Sequence, residues 1–219
     1  PSWEKASSDV IESAASEERP IVIYFAGEKE NDFTVYGEEL RELSDNEAIF
    51  IKFDYNADRE EDPFAEDSVV PTNPLLSDNP AREYGVPAGS AGTILVCDWY
   101  GNKYFQMKSK SKADAIRSMI SKVADKVEKE EKSLRKNLEK AQASMEKEDR
   151  KNAIKSLLKN FKDGQVGLDA QQESIALYHE IMDAAREELS ELTSSGDVDG
   201  LKKLAGDMKK TDMEDEVKQ

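Results

Sequence analysis

Apolar residues follow two different patterns along this chain. In the first half they come as short unbroken runs, and Ile21 to Phe25 is the clearest. Five apolar or aromatic residues without polar alternation read as a strand buried on both faces and covered by helices. Ile49-Phe-Ile-Lys-Phe-Asp54 predicts a second strand and Thr93-Ile-Leu-Val-Cys-Asp98 a third. Lys103 to Met107 predicts an edge strand joined to the third through a Gly101-Asn102 turn. Small or apolar residues at Trp3, Ala6, Val10, Ile11, Ala14 and Ala15 predict a helix over 3–15 lying on the sheet. Val35, Leu40 and Leu43 mark another, starting near Asn31 or Asp32, so that the first two strands pair in parallel. Between 55 and 80, Pro63, Pro71, Pro74 and Pro80 punctuate an acidic stretch, predicting a long irregular connection.

After Ser111 the pattern becomes helical. Ile116, Ile120, Val123, Val127, Leu134, Leu138, Ala141 and Met145 keep one apolar face over many turns, which predicts a helix running without interruption into a second region. Asp149 opens a helix carrying Ile154, Leu157, Leu158 and Phe161, closed by Gly164; the next carries Ile175 to Leu192 and closes at Gly196. A last short helix holds Leu201, Leu204 and Met208, and a frayed tail is expected after Thr211. The turns at Glu148-Asp-Arg-Lys-Asn-Ala153 and Gly196-Asp-Val-Asp-Gly-Leu201 are similar to those of tetratricopeptide hairpins. Their separation of 48 residues exceeds that repeat of about 34. A helical-hairpin array and a plain bundle both stay open.

The first region resembles the thioredoxin family, in members where a Trp-led helix and a Lys-Pro strand precede a Cys-x-x-Cys loop. The residues that carry the resemblance are Trp3, Arg19-Pro20, Phe25-Ala26-Gly27 and Tyr84-Gly-Val86. Asn31-Asp32-Phe33-Thr34 stands in the Cys-x-x-Cys slots, and Gly92-Thr93 replaces the family's cis-Pro-Thr pair. The resemblance implies an α/β thioredoxin-like fold, a central mixed sheet flanked by helices, over 1–122. An all-α helical-hairpin or bundle domain is expected over 123–219. With both cysteines and the proline missing, it also implies a domain without thiol-disulfide exchange. A cis bond before Gly92 would cost roughly 2.5–4 kcal/mol, so a trans bond is expected there. Family members are often exported, which implies an extracytoplasmic protein, periplasmic or secreted, after removal of a signal.

Charge narrows the partners. The chain has 219 residues and a net charge of -16. Residues 1–120 carry 24 acidic and 12 basic side chains, and 121–219 carry 23 and 19, so the excess is -12 and -4. That balance argues against nucleic acid and anionic membranes and favours a basic protein or peptide. No apolar run approaches the roughly 18 residues that span a bilayer.

Candidate chemistry is sparse. One cysteine, Cys97, and one histidine, His179, allow no intrachain disulfide and no thiolate or typical zinc cluster, and no cofactor is indicated. Cys97 reads as a packed core thiol. Glu28, Glu30 and Asp32 crowd the helix end where a thiolate would stand, and capping by Asn31 or Asp32 accounts for them. Asp54, Asn56, Asp58 and Glu60 alternate like the start of a calcium loop, but Arg59 stands where such a loop needs glycine and Ala65 where it needs glutamate.

The reading is a non-catalytic protein-binding or scaffolding module. Its expected binding face gathers the loops at 27–33, 55–80 and 89–92, with Asn31, Asp32, Phe33, Thr34, Tyr36, Ala91, Gly92 and Thr93 as binding residues. Two rivals are an enzyme with an unrecognised site in 55–92 and an acidic divalent-cation binder.

Overall fold

A computed structural model describes residues 1–29, 37–55, 68–89 and 91–218. The chain packs as two compact units, residues 1–65 with 73–129, and residues 66–72 with 130–219.

The first unit is built on a mixed sheet with strand order β1-β3-β2-β4-β5. β2 (Ile21–Phe25) is central, parallel to β3 (Ile49–Phe53) and antiparallel to β4 (Thr93–Cys97). All five residues of β2 are buried, which is why this strand shows no polar alternation. β5 (Lys103–Lys108) forms one edge through the antiparallel hairpin with β4. The other edge is β1 (Trp3–Glu4), parallel to β3 with Trp3 opposite Phe50.

That edge corrects the expected helix over 3–15. Trp3 lies in a strand, its ring 5.9 Å from Phe50 and 6.2 Å from Tyr24. The helix α1 spans only Ser8–Ser16, because the Ser7 hydroxyl accepts from the Val10 N–H and fixes the N-terminus there. Helix α2 (Gly37–Asn46) buries Leu40 and Leu43, and the expected caps Asn31 and Asp32 lie outside the described residues.

The 55–80 segment is not uniformly irregular where it is described. Asn73 caps a 3-10 turn at Pro74–Leu76 by accepting from the Leu75 N–H, and Asn79 caps α3 (Pro80–Glu83) by accepting from Arg82 N–H. Residues 73–80 belong to the sheet unit and 68–72 to the helical unit, so what reads as one loop serves two cores.

The expected uninterrupted helix is also corrected. α4 (Ala113–Ile120) stops and α5 (Val123–Met145) begins after Ser121 and Lys122, which are outside both. The unit boundary falls within α5, between 129 and 130.

The helical unit adds α6 (Arg150–Phe161), α7 (Asp169–Ser195), α8 (Val198–Asp207) and α9 (Glu214–Lys218). Its core collects Leu138, Leu157, Phe161, Tyr178, Ile181 and Met182. The two similar turns share one local solution. Glu148 (φ 57°) and Gly196 (φ 70°) are left-handed, and the next residue, Asp149 or Asp197, accepts from the N–H three residues on. The tail after Thr211 is folded rather than frayed. Met213 and Val217, one helical turn apart, enter the core, and Asp212 accepts from Val69 N–H at 3.2 Å and from the Tyr178 hydroxyl at 3.2 Å.

Candidate functional site: the end of the sheet

Because β2 and β3 are parallel and β4 is antiparallel to them, the ends of β2 and β3 and the start of β4 meet at one edge of the sheet. There the last residues of the two parallel strands, Phe25 and Phe53, stack with centroids 5.0 Å apart and planes 13° from parallel. A cavity of about 380 Å³ opens beside them. Its far wall is the capped turn and the start of α3, with Leu75 and Leu76, and Asp54 and Asp78 also line it. Leu75 points into the core, while Leu76 is 46 % exposed, one of two large hydrophobic residues so exposed among those described. The site is apolar on its walls and acidic at its edge.

The turn behind this wall is held by a buried carboxylate. Asp98 Oδ1 accepts from Tyr100 N–H and Asn102 N–H, each at 2.9 Å, and Oδ2 accepts from Asn102 Nδ2 at 2.8 Å. Burial pushes Asp98 up to about 6, against the pull of those hydrogen bonds. The Tyr84 hydroxyl donates to Gly101 carbonyl oxygen at 2.7 Å, and burial raises its pKa. Gly101 takes φ +93°, which strains any other residue, and a Cβ there would crowd the Tyr84 hydroxyl oxygen at 3.2 Å. Asn73 Nδ2 donates to Tyr100 carbonyl oxygen at 2.9 Å, tying the Leu75-Leu76 turn to this hairpin.

Cys97 has no place in a reaction at this edge. It is 0 % exposed at the opposite end of β4, paired across the ladder with Ile21, and burial pushes its thiol well up.

Of the expected binding residues, Asn31, Asp32, Phe33, Thr34 and Tyr36 lie outside the described residues. Ala91 is exposed, Gly92 is buried and its carbonyl accepts from Ser109 N–H at 3.0 Å, and Thr93 is half-buried opposite Phe25. Among the described residues no peptide bond is cis. Glu28 N–H donates to Gly89 carbonyl oxygen at 2.9 Å, so the exit from β2 and the loop before β4 adjoin. Leu76 is not among the residues expected from sequence. Its signal was the apolar Leu-Leu pair following Asn73-Pro74, a cap and a helix-starting proline inside an otherwise polar stretch.

Of the candidate cation ligands, Asp54 is exposed and lies 3.5 Å from Lys52 Nζ, whereas Asn56, Asp58 and Glu60 lie outside the described residues. No group of three His, Cys, Asp or Glu side chains among the described residues is placed to hold a metal ion. Among them, too, no helix is long and apolar enough to cross a membrane.

No family model matches the chain, and no curated protein matches it. A solved structure named DsbH Oxidoreductase overlays 55 % of this chain and 82 % of its own, at 13 % identity and a TM-score of 0.37. So loose an overlay carries no argument about activity.

Proposed function

We propose that the first unit is a thioredoxin-like module without thiol chemistry, and that it binds a protein or peptide at the end of its sheet. The parallel β2–α2–β3 unit, the short α3 ahead of β4 and the β4–β5 hairpin support the fold reading. The observation that carries the function is the exposed Leu76 beside the stacked Phe25 and Phe53, in a cavity edged by Asp54 and Asp78. Open α/β sheets commonly place ligands at such strand ends. Apolar walls suit a hydrophobic side chain, and the carboxylates suit a neighbouring lysine or arginine on the same peptide.

The test is selection from a random peptide library displayed on phage, followed by affinity measurement with the full chain. Enriched peptides are expected to carry an apolar residue next to a basic one. The double variant Leu76→Ser, Asp78→Lys should bind them about tenfold more weakly, since an exposed apolar anchor and an attractive charge are both lost. Unchanged affinity in that variant would remove the site from this edge. Turnover in an insulin reduction assay above the dithiothreitol background, abolished by Cys97→Ser, would overturn the non-catalytic reading.

A further inference from the structure

Helix α6 has the sequence RKNAIKSLLKNF, with four basic residues and no acidic one, in a chain of net charge -16. Lys151, Lys155 and Lys159 recur every fourth residue, and Lys162 follows three later, so they form one stripe along the helix. Beside that stripe a groove of about 580 Å³ runs between α6 and the end of α8. Lys209 and Lys210 supply the other rim, and Asp207 is the single carboxylate on the lining. Ile154 and Leu158 form its floor with Gly206. None of these six lysines makes an ion pair within 4.0 Å among the described residues. A Cβ built on Gly206 meets nothing within 4 Å, so the floor is open at that point.

We propose that this groove is a second recognition site, which docks an acidic peptide segment carrying apolar anchor residues. The choice of occupant follows from the two chemistries side by side. Six ammonium groups, none in a close ion pair although Asp149 acts on Lys151 and Glu214 on Lys209, outnumber the nearby carboxylates and call for more, and the apolar floor calls for side chains such as leucine; a peptide carrying both supplies them at helical or extended spacing. A polynucleotide offers charge but no aliphatic anchors, and a flat anionic membrane offers no side chain to enter a groove beside a helix. The site is separate from the sheet edge and does not depend on it.

The probe is a fluorescein-labelled peptide of Glu and Leu about twelve residues long, which as a helix matches the roughly 18 Å length of α6. Fluorescence anisotropy with the full chain is expected to give saturable binding that weakens as salt is raised. The same peptide with Gln for Glu should bind at least about tenfold more weakly, and Lys155→Glu with Lys159→Glu should weaken the Glu peptide comparably by turning two attractions into repulsions. Gly206→Leu fills the floor without altering charge and should also weaken binding. If charge reversal lowers the helical circular dichroism, the Gly206→Leu variant decides alone. Equal binding of the Glu and Gln peptides, or undiminished binding by Gly206→Leu, would overturn the proposal. So would binding of oligothymidylate or phosphatidylserine vesicles as tight as that of the Glu peptide, which would put a polyanion in its place.

Discussion

In the sheet unit the cavity at the strand ends is edged by Asp54 and Asp78, whereas in the helical unit the groove beside α6 is rimmed by six lysines. The two units also differ inside. β2 is buried on both faces and consists of apolar and aromatic residues, while the helices of the second unit hold a buried polar knot. There Asn160 Nδ2 donates to Leu134 carbonyl oxygen at 3.0 Å and to the Ser174 hydroxyl at 2.8 Å, and Gln171 Nε2 donates to Asn160 carbonyl oxygen at 2.9 Å. The difference teaches that net charge describes the whole chain and misdescribes its parts. An excess of -16 points to basic partners, yet Lys151, Lys155 and Lys159 are grouped along one helix, where the local charge is of the opposite sign. If both proposed surfaces bind, the chain joins two partners that do not recognise each other.

The largest expected effect comes from the sheet core. Ile23 is fully buried between Ile51 and Leu95 on the neighbouring strands, so Ile23→Ala should cost about 3–4 kcal/mol. Both tryptophans, Trp3 and Trp99, belong to the sheet unit, so their emission reports that unit while far-ultraviolet circular dichroism is dominated by the helices. The tryptophan transition should fall in denaturant. If it does not move, β2 is not the centre of that core. In the helical unit Met213 is 0 % exposed, and Met213→Ala should cost about 2–3 kcal/mol, read in the helical signal. A change smaller than about 0.5 kcal/mol, as at surface positions, would return the tail to the frayed state that its sequence implied.

The contrast also decides what the sequence could show. Strand β2 was legible because five apolar residues in a row leave no polar face, and the caps at Asp149 and Gly196 were legible because their turn chemistry is local. Trp3 was misread because a two-residue edge strand has no period, and its spacing to Ala6 and Val10 mimics a helix; the Ser7 cap marked the true start. The tail was missed because Met213 and Val217 are only one turn of pattern among acidic residues, and the left-handed turn residue Lys210, at φ 64°, is not a glycine that would mark it. At the sheet edge, Leu76 becomes a candidate only once its turn is laid against Phe25 and Phe53. The lysine stripe of α6 is visible in sequence, but it borders a groove only because α8 packs beside it.

The smallest effect separates the units by pH. Asp98 in the sheet unit titrates at about 6, raised by burial above its ordinary 3.8, so the folded chain holds its proton more tightly than the unfolded chain does. Between these two values the native state binds more protons, and stability therefore rises as pH falls through 6 and levels off below 3.8. From pH 7 to 5 the gain from this group is about 1 kcal/mol, appearing in the tryptophan transition. Cys97 and Tyr84 belong to the same cluster, but burial raises both above their ordinary values, so neither titrates in that window. The helical unit runs the other way. Asp149 and Glu214 are lowered by hydrogen bonds from Asn152 and Lys218, so their contribution is present above the unfolded carboxylate values and is lost only as pH falls below them. Acidification to pH 5 should thus strengthen the sheet transition and leave the helical one unmoved. Asp98→Asn removes the titrating group, and the tryptophan transition of that variant should lose the gain. If the gain persists in Asp98→Asn, or appears in the helical signal instead, the buried carboxylate is not its source.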